Sequence, residues 1–154
     1  MLLYHATFGD DRVEKIRKEG LKINQPGNWN DINTEDCVFF AFSPSVAIDY
    51  AEVAETYDDS DVVVFSVDAS DLDLEKVGYD WNNRCEYRNE INSLAYRADV
   101  PADVLHEMTA EEIENADELI FSDLECLDED ANEIWGNLLD TFEYEVETNM
   151  ENIE

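Results

Sequence analysis

Few side chains in this sequence can do chemistry. The only histidines are His5 and His106, and the three cysteines, Cys37, Cys85 and Cys126, are widely spaced. They form no CxxC pair, so the spacing predicts neither a metal site nor a disulfide framework, and a reducing cytosol is the expected setting. His5 lies in the apolar stretch Leu2-Leu3-Tyr4-His5-Ala6-Thr7. It reads either as a satisfied, half-buried strand histidine or as a ligand-binding one. Ser43 and Tyr50 flank a helical pattern, where Tyr50 is equally a core residue in register with Val46, Ala47 and Ala54. Glu86 and Glu90 stand in Cys85-Glu86-Tyr87-Arg88-Asn89-Glu90 as candidate catalytic carboxylates. Trp29 and Trp81 sit in Asn-rich segments, as pocket lids, partner contacts or half-buried residues. His106 reads as structural, and Arg88 and Arg97 as offsets to local acids.

These residues need elements to hold them. Leu2 to Thr7 predicts a first strand. Asp10 or Asp11 is expected to cap a helix running to about Glu19, with Val13 and Ile16 on one face and Gly20 at its end. Residues 22–36 read as a polar loop. Cys37 to Phe42 is a continuous apolar run, hence a buried strand. Ser43-Pro44 pairs a hydroxyl cap with proline at the first helical position, and a helix should follow. Val62 to Val67 is the clearest strand, residues 68–90 read as irregular with a short helix, and Asn92 to Ala98 reads as a late strand. Thr109-Ala110-Glu111-Glu112 fits a capping box. Ile134, Trp135, Leu138, Leu139 and Phe142 then recur at helical spacing.

The chain has 154 residues, 44% of them apolar and 11% aromatic, enough to build a hydrophobic core. No apolar run is long enough to span a membrane, and MLLYHATFGDD lacks the basic flank of a signal peptide. Forty acidic residues face nine basic ones, for a net charge of −31. Such a surface repels nucleic acid and anionic lipid, so neither direct nucleic-acid binding nor membrane binding is expected. A protein partner with a basic surface fits it better. All nine basic residues lie at or before Arg97, whereas residues 107–154 hold 18 acids and no Lys or Arg. The sequence therefore divides into residues 1–106 and an acidic, helical extension, 107–154, expected to pack on them.

The order of motifs is more specific than any one of them. Tyr4-His5-Ala6-Thr7 is followed by Gly20-Leu21 and an apolar strand. Ser43-Pro44-Ser45-Val46-Ala47-Ile48-Asp49-Tyr50-Ala51, a Val-rich strand and Tyr96-Arg97-Ala98-Asp99-Val100-Pro101-Ala102-Asp103-Val104-Leu105 complete the series. This arrangement over about residues 2–105 resembles the ADP-ribosyltransferase superfamily. It is most similar to the small members with a Tyr-His-Gly-Thr first strand, which include the RNA 2′-phosphotransferases and many phage-encoded proteins. The resemblance implies an α+β fold of split, mixed or antiparallel sheets with flanking helices, and NAD as substrate in a cleft between the sheets. His5 would bond the adenine-side ribose, the backbone of Ala6 would meet the nicotinamide amide, and Thr7 completes the motif. Ser43 would line the cleft and Tyr50 would stack on the nicotinamide ring.

Two departures matter. Ala6 replaces the family's glycine. On the late strand, where the family carries Glu or Gln, this sequence has Ala95, and Glu86 and Glu90 are the nearest carboxylates. A group aimed at the developing oxocarbenium charge is worth roughly 3–4 kcal/mol, so its loss is costly. The sequence thus supports an enzyme that binds NAD and transfers ADP-ribose to a macromolecule. The alternative, ranked behind it, is a catalytically silent acidic DNA mimic that blocks a basic DNA-binding protein or defence nuclease, in a host cytoplasm if phage-encoded. A domain that recognises a nucleotide without turnover is the third reading.

Overall fold

A computed structural model describes residues 1–23, 37–54, 62–80 and 87–151, with side-chain surroundings for 1–23, 37–51, 62–80 and 87–143. Trp29, Trp81, Cys85 and Glu86 lie outside the described residues.

The protein is a mixed α+β structure. The first strand, β1 (Leu2–Phe8), feeds α1 (Asp10–Glu19). Gly9, rather than Asp10 or Asp11, occupies the cap position, and both aspartates fall in the first turn, where they complement the helix dipole. Gly20 stops α1 at φ +81, and its N–H donates to the Ile16 carbonyl. A Cβ on Gly20 would lie 2.0 Å from the Val100 carbonyl oxygen. Only glycine lets the chain approach closely enough for Leu21 and Val100 to exchange backbone hydrogen bonds of 2.9 and 2.8 Å.

The apolar run supplies β2 (Val38–Ala41), and Pro44 opens α2 (Pro44–Ala54) as the proline signal predicts. The Val-rich segment is β3 (Val62–Asp68). Residues 68–90, expected to be irregular, hold short 3-10 turns and a three-residue strand, β4 (Val77–Tyr79). The late strand is shorter than expected, β5 (Ser93–Tyr96), and a two-residue strand, β6 (His106–Glu107), follows. The C-terminal part holds α3 (Ala110–Asn115), a 3-10 turn at Phe121–Cys126, and α4 (Glu129–Glu151). Thr109 and Glu112 make both bonds of the capping box. Among the described residues no helix is long and apolar enough to cross a membrane.

The six strands form one sheet in the order β4-β5-β2-β1-β3-β6, with antiparallel neighbours throughout. Its two halves are unequally joined. β1 pairs β3 over seven register positions and β2 pairs β5 over four, but β1 meets β2 only at Tyr4↔Ala41. In place of the expected split sheets there is one continuous antiparallel sheet, because β1 and β2 still pair across the seam between its β4-β5-β2 and β1-β3-β6 halves.

Two apolar clusters cover the sheet. Alternation along β1 sends Tyr4 and Ala6 to one face, where they pack with Ala41, Val64 and the small residues Ala47 and Ala51 of α2. Small side chains there allow close approach of helix and sheet. Leu3, Phe40, Val67, Leu94 and Tyr96 belong to a larger cluster that also contains Phe121, Leu124, Ala131, Ile134, Leu138 and Phe142. The apolar stripe of α4 thus packs into the same core as β1, β2 and β3. Tyr79 and Phe142 meet edge-on at 5.1 Å, Phe121 and Trp135 stack at 4.2 Å, and Asn137 Nδ2 donates to the Leu74 carbonyl at 2.6 Å.

Candidate functional site

His5 projects from β1 beside the seam. Its Nδ1 lies 2.8 Å from the Phe39 carbonyl oxygen of β2, and its ring meets Phe40 edge-on at 6.2 Å. A carbonyl only accepts, so Nδ1 carries the proton. Burial lowers the His5 pKa, and the bond to Phe39 opposes that shift in part. The ring is therefore neutral at neutral pH, and its Nε2 presents an acceptor lone pair. Among the titratable side chains that could take a hydroxyl hydrogen, this one has its tautomer set by the backbone.

The neighbouring candidates are less exposed. Ala6 packs in the small cluster with Ala47 and Ala51 of α2. Thr7 is 2% exposed and pairs with Val63. Ser43 is 1% exposed, and its hydroxyl is shared with one residue of the C-terminal part. It donates to the Leu119 carbonyl and accepts from the Leu119 N–H, both at 3.2 Å. Tyr50 is half-buried and donates its phenol hydrogen to Asn92 Oδ1, at the head of β5.

Strand β2 links these groups. Phe39 receives His5, and the Phe42 N–H donates to the Asn92 carbonyl at 3.2 Å. Ala41 pairs with Ser93. Tyr50, Asn92 and Ser93 are thereby gathered at one end of β2, while His5 bonds two residues upstream, about 7 Å away at strand spacing. His5 and the α2 side chains do not share a face of β1. Alternation puts His5 on the side of Phe40, opposite Tyr4 and Ala6.

The carboxylates fall differently. Ala95 is buried in mid-β5, paired with Phe39 and Gly78, so β5 itself carries no acid. Glu90 is exposed on the 3-10 turn Arg88–Glu90, two residues before Asn92. Sequence reasoning missed Asp80, the only charged side chain buried among the described residues, at 5% exposure. Its Oδ2 accepts from Ser93 Oγ at 3.1 Å. A carboxylate held by a neighbour's hydroxyl at the head of β5 is notable in a chain whose other described acids face water or are half-exposed. The signal available in the sequence was only an Asp closing the short apolar run Val77-Gly78-Tyr79. Among the described residues, no three His, Cys, Asp or Glu side chains converge as metal ligands would.

No known protein family, curated protein or solved structure matches this chain.

Proposed function

We propose that the chain is an ADP-ribosyltransferase-like protein that takes NAD at the seam of its sheet and transfers ADP-ribose to a macromolecular acceptor. The observation that carries this reading is His5. It is neutral, its Nδ1–H is tied to Phe39, and its Nε2 would accept a ribose hydroxyl where β1 meets β2 at the single pair Tyr4↔Ala41. Tyr50, bonded to Asn92 at the end of β2, offers an aromatic ring for the flat, cationic nicotinamide about 7 Å along the strand from the His5 contact, and a ligand meeting both would have to cross from one face of the sheet to the other. In the transfer, the bond between the ribose carbon and the nicotinamide nitrogen breaks, nicotinamide leaves neutral, and the acceptor's nucleophile closes on that carbon. The chain contributes binding and orientation through His5, Tyr50 and the Ala6 backbone. Glu86 and Glu90 precede β5, and the buried Asp80 is held by Ser93 on it; these are the candidate carboxylates for stabilising the charge that develops on the ribose.

Calorimetry with NAD, paired with an assay for released nicotinamide, tests the reading. His5→Ala removes one hydrogen bond, worth about 0.5–1.5 kcal/mol, and should weaken NAD binding by about 2- to 12-fold. Tyr50→Ala should weaken it as well. Absence of binding at millimolar NAD, in low and moderate salt, would sink the proposal.

A second reading is favoured by a separate observation. On α4, Ala131, Ile134, Leu138 and Phe142 turn inward while Glu129, Glu133, Asp140 and Glu143 face solvent. The exposed acids of α3 and of the Phe121–Cys126 turn belong to the same stretch of chain, which has no basic residue after Arg97, although Arg88 reaches Glu143 at 3.6 Å. Such a surface suits a basic, DNA-binding protein, with fast and salt-dependent association. Competition with duplex DNA for such a protein, read by anisotropy at two salt concentrations, tests it. No competition at low salt would exclude it.

A further inference from the structure

Two short 3-10 turns converge on one flank of α4. The turn Arg88–Glu90 packs against the turn Phe121–Cys126, which packs in its turn against α4. Tyr87 and Ile120 immediately precede the two turns. They are the most exposed large apolar side chains among the described residues, at 62% and 60%. Phe121 stacks on Trp135, and Arg88 lies 3.6 Å from Glu143, so both turns are tied to the same helix. Trp135, Leu139 and Glu143 follow one another at intervals of four along α4, hence on one flank. Trp135 and Leu139 pack on the core and leave part of each side chain to solvent.

Gly136 lies on this flank, three positions before Leu139 and seven before Glu143. Glycine inside a helix weakens it relative to alanine. Nothing among the described residues comes within 4 Å of where a Cβ at Gly136 would stand, so their packing does not require glycine there. Close approach by another backbone does require it. The surroundings have the anatomy of an interface, with aromatic and aliphatic anchors inside a polar ring. That ring is acidic: Glu118, Asp123 and Glu143 are all exposed. Charge then selects the occupant. A second copy of this chain brings the same net charge of −31 and is repelled, whereas a basic partner is drawn in.

We infer that the flank of α4 between Tyr87, Ile120 and Gly136 is a docking surface for a basic amphipathic helix of a partner protein. The inference rests on the second reading above, that the acidic side of the molecule meets a basic protein, and it says where and through which groups. The partner's apolar side chains seat against Tyr87, Ile120 and Trp135, and its backbone passes over Gly136. Its cations reach the surrounding carboxylates, and a guanidinium among them can lie over the Tyr87 ring.

Fluorescence anisotropy with two labelled synthetic peptides tests this. One is helical, with lysines on one face and leucines on the other; the second is a scramble of the same composition and therefore the same charge. Each is titrated with wild type, Tyr87→Ser/Ile120→Ser and Gly136→Gln at low and moderate salt. Thermal unfolding checks each fold, and sedimentation gives the oligomeric state of each protein alone. Wild type should bind the amphipathic peptide about tenfold more tightly than the scramble, and both variants should lose that preference while binding the scramble as before. Gly136→Gln should keep or raise the unfolding midpoint, because a helix former replaces glycine, so a lost preference there is not a lost fold. Equal binding of the two peptides by wild type, or a preference that survives in both variants, would overturn the docking surface and leave the acidic-surface reading standing. No binding of either peptide at low salt would remove both. A wild-type dimer that Tyr87→Ser/Ile120→Ser dissociates would assign the flank to a second copy and overturn the basic partner.

Discussion

Replacing Leu138 by alanine tests whether the acidic C-terminal helix is part of the core or a passenger on it. Leu138 is fully buried and belongs to the same cluster as Leu3, Phe40 and Val67 from the sheet. Leu→Ala changes at such sites cost about 2–5 kcal/mol, from lost transfer energy and the cavity left behind. Taking about 3 kcal/mol, at roughly 2–4 °C per kcal/mol for a chain of this size, the unfolding midpoint should fall by about 6–12 °C. With a urea slope of about 2 kcal/mol/M, the urea midpoint should fall by about 1.5 M at unchanged slope. The assay follows urea unfolding with far-UV dichroism, tryptophan emission (Trp135 stacks on Phe121) and hydrogen exchange at the β1–β3 amides. All three transitions should move together in the variant. If the helical signal is lost early while the β1–β3 amides keep the wild-type midpoint, α4 is a separately melting appendage and the packing argument fails.

Three further outcomes follow from single observations. His5 has a lowered folded-state pKa, so the unfolded state takes up its proton first. Its contribution to stability is full above the unfolded pKa of about 6.5 and shrinks as pH falls from there towards the folded value. His5→Gln should flatten that part of the stability profile, and an NMR titration giving His5 a pKa at or above about 6.5 would contradict the burial argument. Asp80→Ala leaves the buried Ser93 hydroxyl without this partner and should cost about 1–3 kcal/mol in urea unfolding, whereas Asp80→Asn, which keeps an acceptor, should cost less. Equal losses would mean the Ser93 bond is not what holds Asp80. Raising sodium chloride from about 0.01 M to about 1 M shortens the Debye length from about 30 to about 3 Å. At a net charge of −31 this should raise the thermal midpoint, and a flat response would show that self-repulsion is not a significant load on the fold.

What could be read from the sequence was set by neighbours within a few residues. Ser43-Pro44 opens α2, Thr109 and Glu112 close their capping box, Gly20 ends α1, and the Ile134, Leu138, Phe142 stripe turns inward. Each is a matter of local backbone geometry or of one helical period. What could not be read depends on partners far along the chain. Val77-Gly78-Tyr79 is too short to announce a strand, and it becomes β4 through pairing with β5 and packing against α4. Asp80 looks like any of forty acids until Ser93 is brought to it. Ser43 reads as a helix cap, and nothing near it indicates that Leu119, 76 residues later, takes up its hydroxyl. The border at 106/107 illustrates the same division. The change in charge falls there, yet the border passes through β6, and buried residues from 121 to 142 continue the core of the first half. Charge composition reports the face a segment shows to solvent. The periodic apolar positions report what it packs on, and in α4 the two lie on opposite sides of one helix.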